Sequence, residues 1–343
     1  MNKIGHLLTS LIISVVVYSC SDTITSEKKA TGGTSELLVV TASPEQWQGV
    51  VGDSVKAIFG QYIESLPQPE PLFDILNASV KKFENNPLYA SHSLILVLNN
   101  DTAGKKVPID VVRNKWASHQ IIITLTAPDD SVLLALLSQY DEAIIELFKK
   151  NQFDRTRNLY ELSPNRDVEN QIKTTFKIDV RIPGSFSLAT KSGNFIWLRQ
   201  SIHRKKQDTD LGLFIFTQPY TDTAQFGMKH IIRMRDSIGS LYIKGPTEGS
   251  FMTSSTDVIP PTRLVIQDKE LGYMVITKGL WKIKQDFMGG PFVSYTLYDK
   301  KTNTILTAEG FVYNPNGEKR NFMVQLESIL NGIRFSDDEN IVN

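Results

Sequence analysis

One cysteine occurs in 343 residues, at Cys20. A chain with a single thiol forms no internal disulfide, so its stability comes from a buried core. Charge of one sign is equally lacking, since 37 Lys and Arg balance 37 Asp and Glu. That balance excludes a chain-wide basic field of the kind that binds nucleic acid or an anionic membrane. No apolar run reaches the roughly 20 residues needed to span a bilayer. The motifs G-x-S-x-G, H-E-x-x-H, the P-loop and G-x-G-x-x-G are all absent. His6, His92, His119, His203 and His230 stand at no metal-ligand spacing, and "DTD" at 208–210 lacks the further acids of a calcium loop. No metal and no cofactor is expected. "SVKK" at 79–82 matches S-x-x-K by letter alone.

What is present begins near the N-terminus. Leu7–Tyr18 is a nearly unbroken apolar stretch of twelve residues behind Lys3. It is too short to cross a membrane but suits the core of a secretory signal. Val17-Tyr18-Ser19-Cys20 resembles the bacterial lipobox, in which the signal is cut before the cysteine and the cysteine is lipidated. Tyr18 is atypical there. The plainer alternatives are a secretory signal with an incidental cysteine, or an uncleaved anchor. Each buried lipid methylene adds about 0.8 kcal/mol, and stable anchoring takes more than one chain. A triacylated, palmitate-bearing Cys20 would hold a body at a membrane without a spanning helix. Residues 1–19 then form a signal peptide, and 20–35, polar and glycine-bearing, a flexible tether.

Residues 36–150 alternate strand and helix patterns. "ELLVVTA", "PLFDILNAS", "HSLILVLN" and "QIIITLTA" read as strands. Helices are expected from Pro44 to about Ser65, across Asp110–Ala117, and from Asp129 to about Lys150. Residues 151–174, polar and without apolar periodicity, read as a linker or seam. From 175 to 335 the pattern is strand after strand, with a helix fitting 222–238 and a closing helix from about Asn316 to Asn331. The fold class expected is α+β: an N-terminal α/β layer followed by a mainly antiparallel sheet packed by one or two helices.

Three stretches, "KGPTEGSFMTSSTDVIPP" (244–261), "KGLWKIKQDFMGGPFVSYTLYD" (278–299) and "TAEGFVYNPNGEKRNFMVQLESILNGIRF" (307–335), together with the lipobox resemble an uncharacterised family of Bacteroidota lipoproteins, a domain of unknown function. The resemblance implies an anchored cell-envelope protein and no particular activity. "IPGSFSL", with the closing helix and "IRF", is also similar in layout to photosystem-II-associated and Mog1-like α/β/α sandwiches.

The distinctive stretch is "WKIKQDFMGGPFVSY" (281–295). As structure it is a hairpin in which Gly289 and Gly290 supply positive φ and Trp281, Phe287, Phe292 and Tyr295 pack. As a site it is a loop open to a ligand or partner, with Glu248, Trp281, Asp286, Phe287, Gly289, Gly290 and Glu309 as candidate residues. Glu248, Asp286, Glu309 and Arg263 meeting at one end of the sheet would suit general acid–base work, or an ion-pair network. The structural reading is the favoured one. The residues point to a membrane-anchored lipoprotein, outer-membrane and periplasm-facing, held through Cys20 and binding an envelope protein or small ligand, with no nucleic acid partner. The competing expectations are a hydrolase of envelope polymer or peptide, and a structural or assembly factor. No catalytic residue is named.

Overall fold

The computed structural model describes residues 28–101, 107–204, 207–268 and 270–336. The expected signal peptide, Cys20 and the tether up to Glu27 lie outside the described residues. Three near-continuous apolar runs of the first half form the buried centre of one sheet, flanked by two half-exposed edge strands. It comprises β1 (Glu36–Thr41), β2 (Asp74–Ser79), β3 (Leu94–Asn100), β4 (Ile109–Arg113) and β5 (Ile121–Ala127). Their order is β2-β1-β3-β5-β4, parallel throughout except for β4. The helices that follow β1 are α1 (Pro44–Gln48) and α2 (Val50–Phe59). Two short helices, α3 (Val80–Glu84) and α4 (Pro87–Ala90), follow β2, and the long α5 (Asp130–Tyr160) follows β5. One sheet face packs on α2 and α5 through Val51, Val55, Phe59, Leu133, Leu137 and Phe148. The other is covered thinly, around Phe83, by the α3–α4 layer.

The second half opens with α6 (Arg166–Phe176) and the two-residue β6 (Ile178–Asp179). Its main sheet contains β7 (Ser187–Ser192), β8 (Phe195–Arg204), β9 (Gln207–Pro219), β10 (Met252–Ser255), β11 (Thr262–Asp268), β12 (Gly272–Ile283), β13 (Gly289–Asp299) and β14 (Thr304–Tyr313). All pairings are antiparallel, in the order β10-β12-β13-β14-β9-β8-β7, with β11 also on β12. Between β9 and β10 runs α7 (Met228–Tyr242); after β14 come α8 (Arg320–Asn331) and the short β15 (Arg334–Phe335), which pairs with β6. Strand alternation gives the sheet two buried faces. Val168, Ile172, Leu213, Tyr295, Leu326 and Ile329 fill the layer beneath α6 and α8. Trp281, Phe292, Phe311, Phe214 and Ile238 fill the layer beneath α7. The fold is α+β, a mixed α/β layer followed by an antiparallel sheet.

Several elements differ from the sequence reading. The polar stretch 151–174, expected as a linker or seam, is largely helical, because α5 runs on to Tyr160 and α6 starts at Arg166. Apolar periodicity stops at 151 because that part of α5 faces backbone carbonyls rather than a core. Asn151 donates to the His119 carbonyl (3.1 Å), and Gln152 to that of Thr34 (2.9 Å). Arg155 donates to the carbonyls of Ala30 (3.2 Å) and Gly32 (3.0 Å) and to Ser93 Oγ (2.8 Å). The same bonds correct the tether, since its residues 28–35 are docked on the fold. Beyond them, Arg157 reaches Asn331 of α8 (2.9 Å) and Tyr160 enters the second core, so one helix serves both halves. The helix expected over 110–117 is β4, whose Val111 and Val112 suit a strand beside β5. The helix from Pro44 is interrupted at Gly49 and ends at Phe59, and the closing helix starts at Arg320.

Candidate functional site

The sequence-nominated residues separate into two places. Lys284 N donates to the Phe251 carbonyl (2.9 Å), and the Lys284 ammonium lies 5.3 Å from the Phe251 ring. The 244–251 loop therefore meets the β12–β13 hairpin at Lys284, and Glu248 on that loop is exposed. Phe287 is fully exposed. Asp286 holds the turn by accepting from Met288 N (3.1 Å). Trp281 is buried, with its indole N–H donating to the Val312 carbonyl (3.2 Å) and its ring edge-on to Phe311 at 5.5 Å.

The glycines do a different job from the expected one. Positive φ at this turn falls on Gln285 (67°), and neither Gly289 nor Gly290 has it. Both lie in β13, where close approach excludes a side chain: a Cβ on Gly290 would stand 1.9 Å from the Val312 carbonyl oxygen and 3.2 Å from the Trp281 indole nitrogen. Gly290→Ala is expected to lower stability by about 1–3 kcal/mol through overpacking. Asp286→Asn, at the exposed tip, is expected to change it by less than about 0.5 kcal/mol. Urea unfolding of the two variants checks this, and equal effects would refute it.

Glu309 and Arg263 do not join that tip. The register places Arg263, Thr277, Ser294 and Glu309 in one row across β11, β12, β13 and β14, mid-sheet. Arg263 is exposed and donates to the Phe226 carbonyl (2.8 Å). Glu309 is only 1% exposed and lies on the α7 face of the sheet. There it meets Arg235 of α7, itself 3% exposed, whose Nε donates to both carboxylate oxygens at 2.9 and 3.1 Å. The same guanidinium donates to Ser254 Oγ (3.2 Å) and stacks 4.0 Å over the Phe292 ring. Burial pushes the Glu309 carboxyl up to about 7, with Arg235 pulling it back down. The Thr277 hydroxyl, two strands along the row, meets no hydrogen-bond partner among the described residues. A cavity of about 10 Å³ adjoins the pair, lined by Ser294, Thr296, Thr307, Gln225 and His230. That is room for about one water, against the several hundred Å³ of a small-molecule pocket. The pair is thus a buried charge-assisted clamp of α7 onto the sheet.

Residues 165–332 match the family model of a domain of unknown function, DUF4837. Residues 30–161 match a second, DUF8532, also a domain of unknown function. The matches meet between α5 and α6, and the clamp lies wholly inside the DUF4837 part. No curated protein matches the chain. Among solved structures, a mutant of Protein Mog1 is similar at 8% identity, covering 47% of this chain and 92% of that one, with a TM-score of 0.29.

A second concave place lies where the DUF8532 and DUF4837 parts meet. A groove of about 240 Å³ is lined by residues that include Gln68, Glu70, Asp74, Asn316, Glu318 and Arg320. Its polar groups are largely engaged with one another, as Glu70 accepts from the backbone of Lys319 and Arg320 pairs with Asp74. Sequence reasoning nominated Glu309 but missed Arg235. The signal was there: Arg235 stands with Ile231 and Ile238 on the apolar stripe of α7, where a charge calls for a buried partner.

Proposed function

We propose that this chain is a lipoprotein, cut before Cys20, acylated on that thiol and held at the outer membrane facing the periplasm, where it binds an envelope partner. One observation carries the anchoring: a twelve-residue apolar stretch, Leu7–Tyr18, leads within two residues to the one cysteine of the chain. The resemblance to Bacteroidota lipoproteins supports the same compartment. No helix among the described residues is long and apolar enough to cross a membrane.

Binding rather than catalysis is supported by what is exposed. Phe287, Val258, Leu264 and Val265 present apolar side chains to solvent on and beside β11 and the hairpin tip. Among the described residues, β11 pairs only with β12, leaving its outer edge open. Exposed apolar groups at an open edge suit a protein partner. The raised carboxyl of Glu309 favours no hydrolase, because it is closed off behind Arg235 with space for a single water.

Cys20→Ser is expected to move the protein from the membrane to the soluble fraction, or to leave an unprocessed precursor. Fractionation and mass spectrometry of the native N-terminal peptide check this. A native chain without acyl groups, with the variant still in the membrane fraction, would overturn the anchoring.

A further inference from the structure

We infer that the outer surface of the α3–α4 layer, together with the β4–β5 loop, is a docking face for an anionic membrane surface. The inference deepens the anchoring proposed above and rests on it for its geometry. At most about 30 Å of extended chain separates Cys20 from Lys28. A lipid on that thiol therefore keeps the entry point of the chain close to the bilayer.

The entry point is defined by hydrogen bonds. Ser118 N donates to the Lys28 carbonyl (2.8 Å), Ala30 N to the Ser118 carbonyl (3.2 Å), and Thr31 Oγ1 to the Leu88 carbonyl (3.1 Å). The chain thus enters between the β4–β5 loop and α4. Phe83 of α3 and Trp116 of the loop meet edge-on at 5.6 Å, which joins both into one surface. On it Lys28, Lys29, Lys81, Lys82 and Lys115 are all exposed, and none forms an ion pair among the described residues. Against them stand Glu84 on α3 and Asp110 on β4. The lysines are interleaved with amphipathic and apolar side chains. Lys115 lies 4.5 Å from the Trp116 ring and Lys82 5.6 Å from the Tyr89 ring, and Leu76 and Leu88 are exposed at 42% and 64%.

Lysines draw a surface to anionic headgroups over about a Debye length, and tryptophan, tyrosine and leucine settle at the headgroup boundary. The balanced total charge hides this local excess.

Lysine footprinting on the full chain tests it. The isolated protein is reconstituted in phosphatidylcholine vesicles with or without 30 mol% phosphatidylglycerol (about a third anionic, to give a strong surface potential), and treated with an amine-acetylating reagent. Lys28, Lys29, Lys81, Lys82 and Lys115 are expected to react roughly 5-fold more slowly on the anionic vesicles, a protection that high salt removes. Lys150, Lys284 and Lys300, exposed elsewhere, should react alike on both. The triple variant Lys81→Glu, Lys82→Glu, Lys115→Glu is expected to keep its melting temperature and lose the protection. Equal rates on both vesicles, protection shared by the control lysines, or protection by a polynucleotide without protection by vesicles would overturn the proposal. Mass spectrometry of Cys20 in the same sample separates the two ideas. Acylation without protection discards the face and keeps the anchor; protection on added vesicles without acylation does the reverse.

Discussion

Arg235→Met is expected to destabilise the protein by about 3–5 kcal/mol at pH 7.5, because it strands a fully buried carboxylate. The cost should shrink as the pH falls, since Glu309 then escapes by taking up a proton. The native protein shares part of this behaviour. Burial raises the Glu309 carboxyl from 4.5 to about 7, against the pull of Arg235. Between those two values the folded state holds a proton that the unfolded chain releases. The stability linked to this group is therefore complete below about pH 4.5 and is lost as pH rises through 7, by up to about 3 kcal/mol. His230, lining the same cavity, has its pKa pushed down by burial and by Arg233, and titrates in the opposite sense. Comparison with Glu309→Gln isolates the carboxyl. Urea unfolding at pH 5 and pH 7.5 reads all of this: a downward slope in the native protein, a flatter one in Glu309→Gln, and a steeper one in Arg235→Met. The double variant Arg235→Met, Glu309→Leu should recover most of the loss, because neither charge is then stranded. A pH-independent loss in Arg235→Met would show that the guanidinium acts by packing on Phe292, not as a counter-ion.

The elements that were legible in the sequence are those whose partner is the apolar core. β1, β3 and β5 read as strands because most positions are aliphatic, and α5 up to Phe148 because Leu133, Leu137 and Ile144 repeat at helical spacing. What failed was contact with backbone. Asn151, Gln152 and Arg155 are polar because they saturate carbonyls of residues 30–34 and 119, and that pattern reads as solvent-facing in a sequence. A polar face on a carbonyl-lined surface and a polar face on water have the same composition. The difference lies in which distant segment arrives there.

The site was legible in half. Glu309 stands out as one acid in the otherwise apolar and small run of β14, and Trp281 as a core aromatic. Their expected grouping with Glu248 and Asp286 placed them all at one end of the sheet. Strand register instead lines up Glu309 with Ser294 and Thr277, several residues from the hairpin tip. The glycines show the same limit. "GG" before a proline suggests a turn, yet the positive φ sits on Gln285 and Gly290 is small because the Val312 carbonyl from β14 passes over it. Register and cross-strand approach are properties of pairs, and one strand's letters carry only half of each.

Glu70→Ala is expected to cost about 3 kcal/mol and to fray the first turn of α8. Glu70 lies in the proline-rich loop "LPQPEP" (66–71) between α2 and β2. Lys319, at the N-cap of α8, gives that helix no side-chain cap. Glu70, from the other half, fills the place: its carboxylate accepts from Lys319 N at 2.8 and 2.9 Å and from Arg320 N at 2.8 Å, and is 4% exposed. A carboxylate there also meets the positive end of the helix dipole. Alanine would leave two buried amide donors unsatisfied, each worth about 1–3 kcal/mol. Glu70→Gln keeps one acceptor and loses the charge, so its cost should be nearer 1 kcal/mol. Arg320 holds the same joint through the Pro71 carbonyl (2.8 Å) and Asp74 (3.0 Å), so the halves should stay attached while the first turn of α8 frays. Amide exchange at residues 319–322 should therefore accelerate far more in Glu70→Ala than exchange in β13 or β14. If both variants unfold within about 0.5 kcal/mol of the native protein, the carboxylate is not what caps α8. Equal acceleration in α8 and in β13 would instead mean that the joint and the second sheet open as one unit.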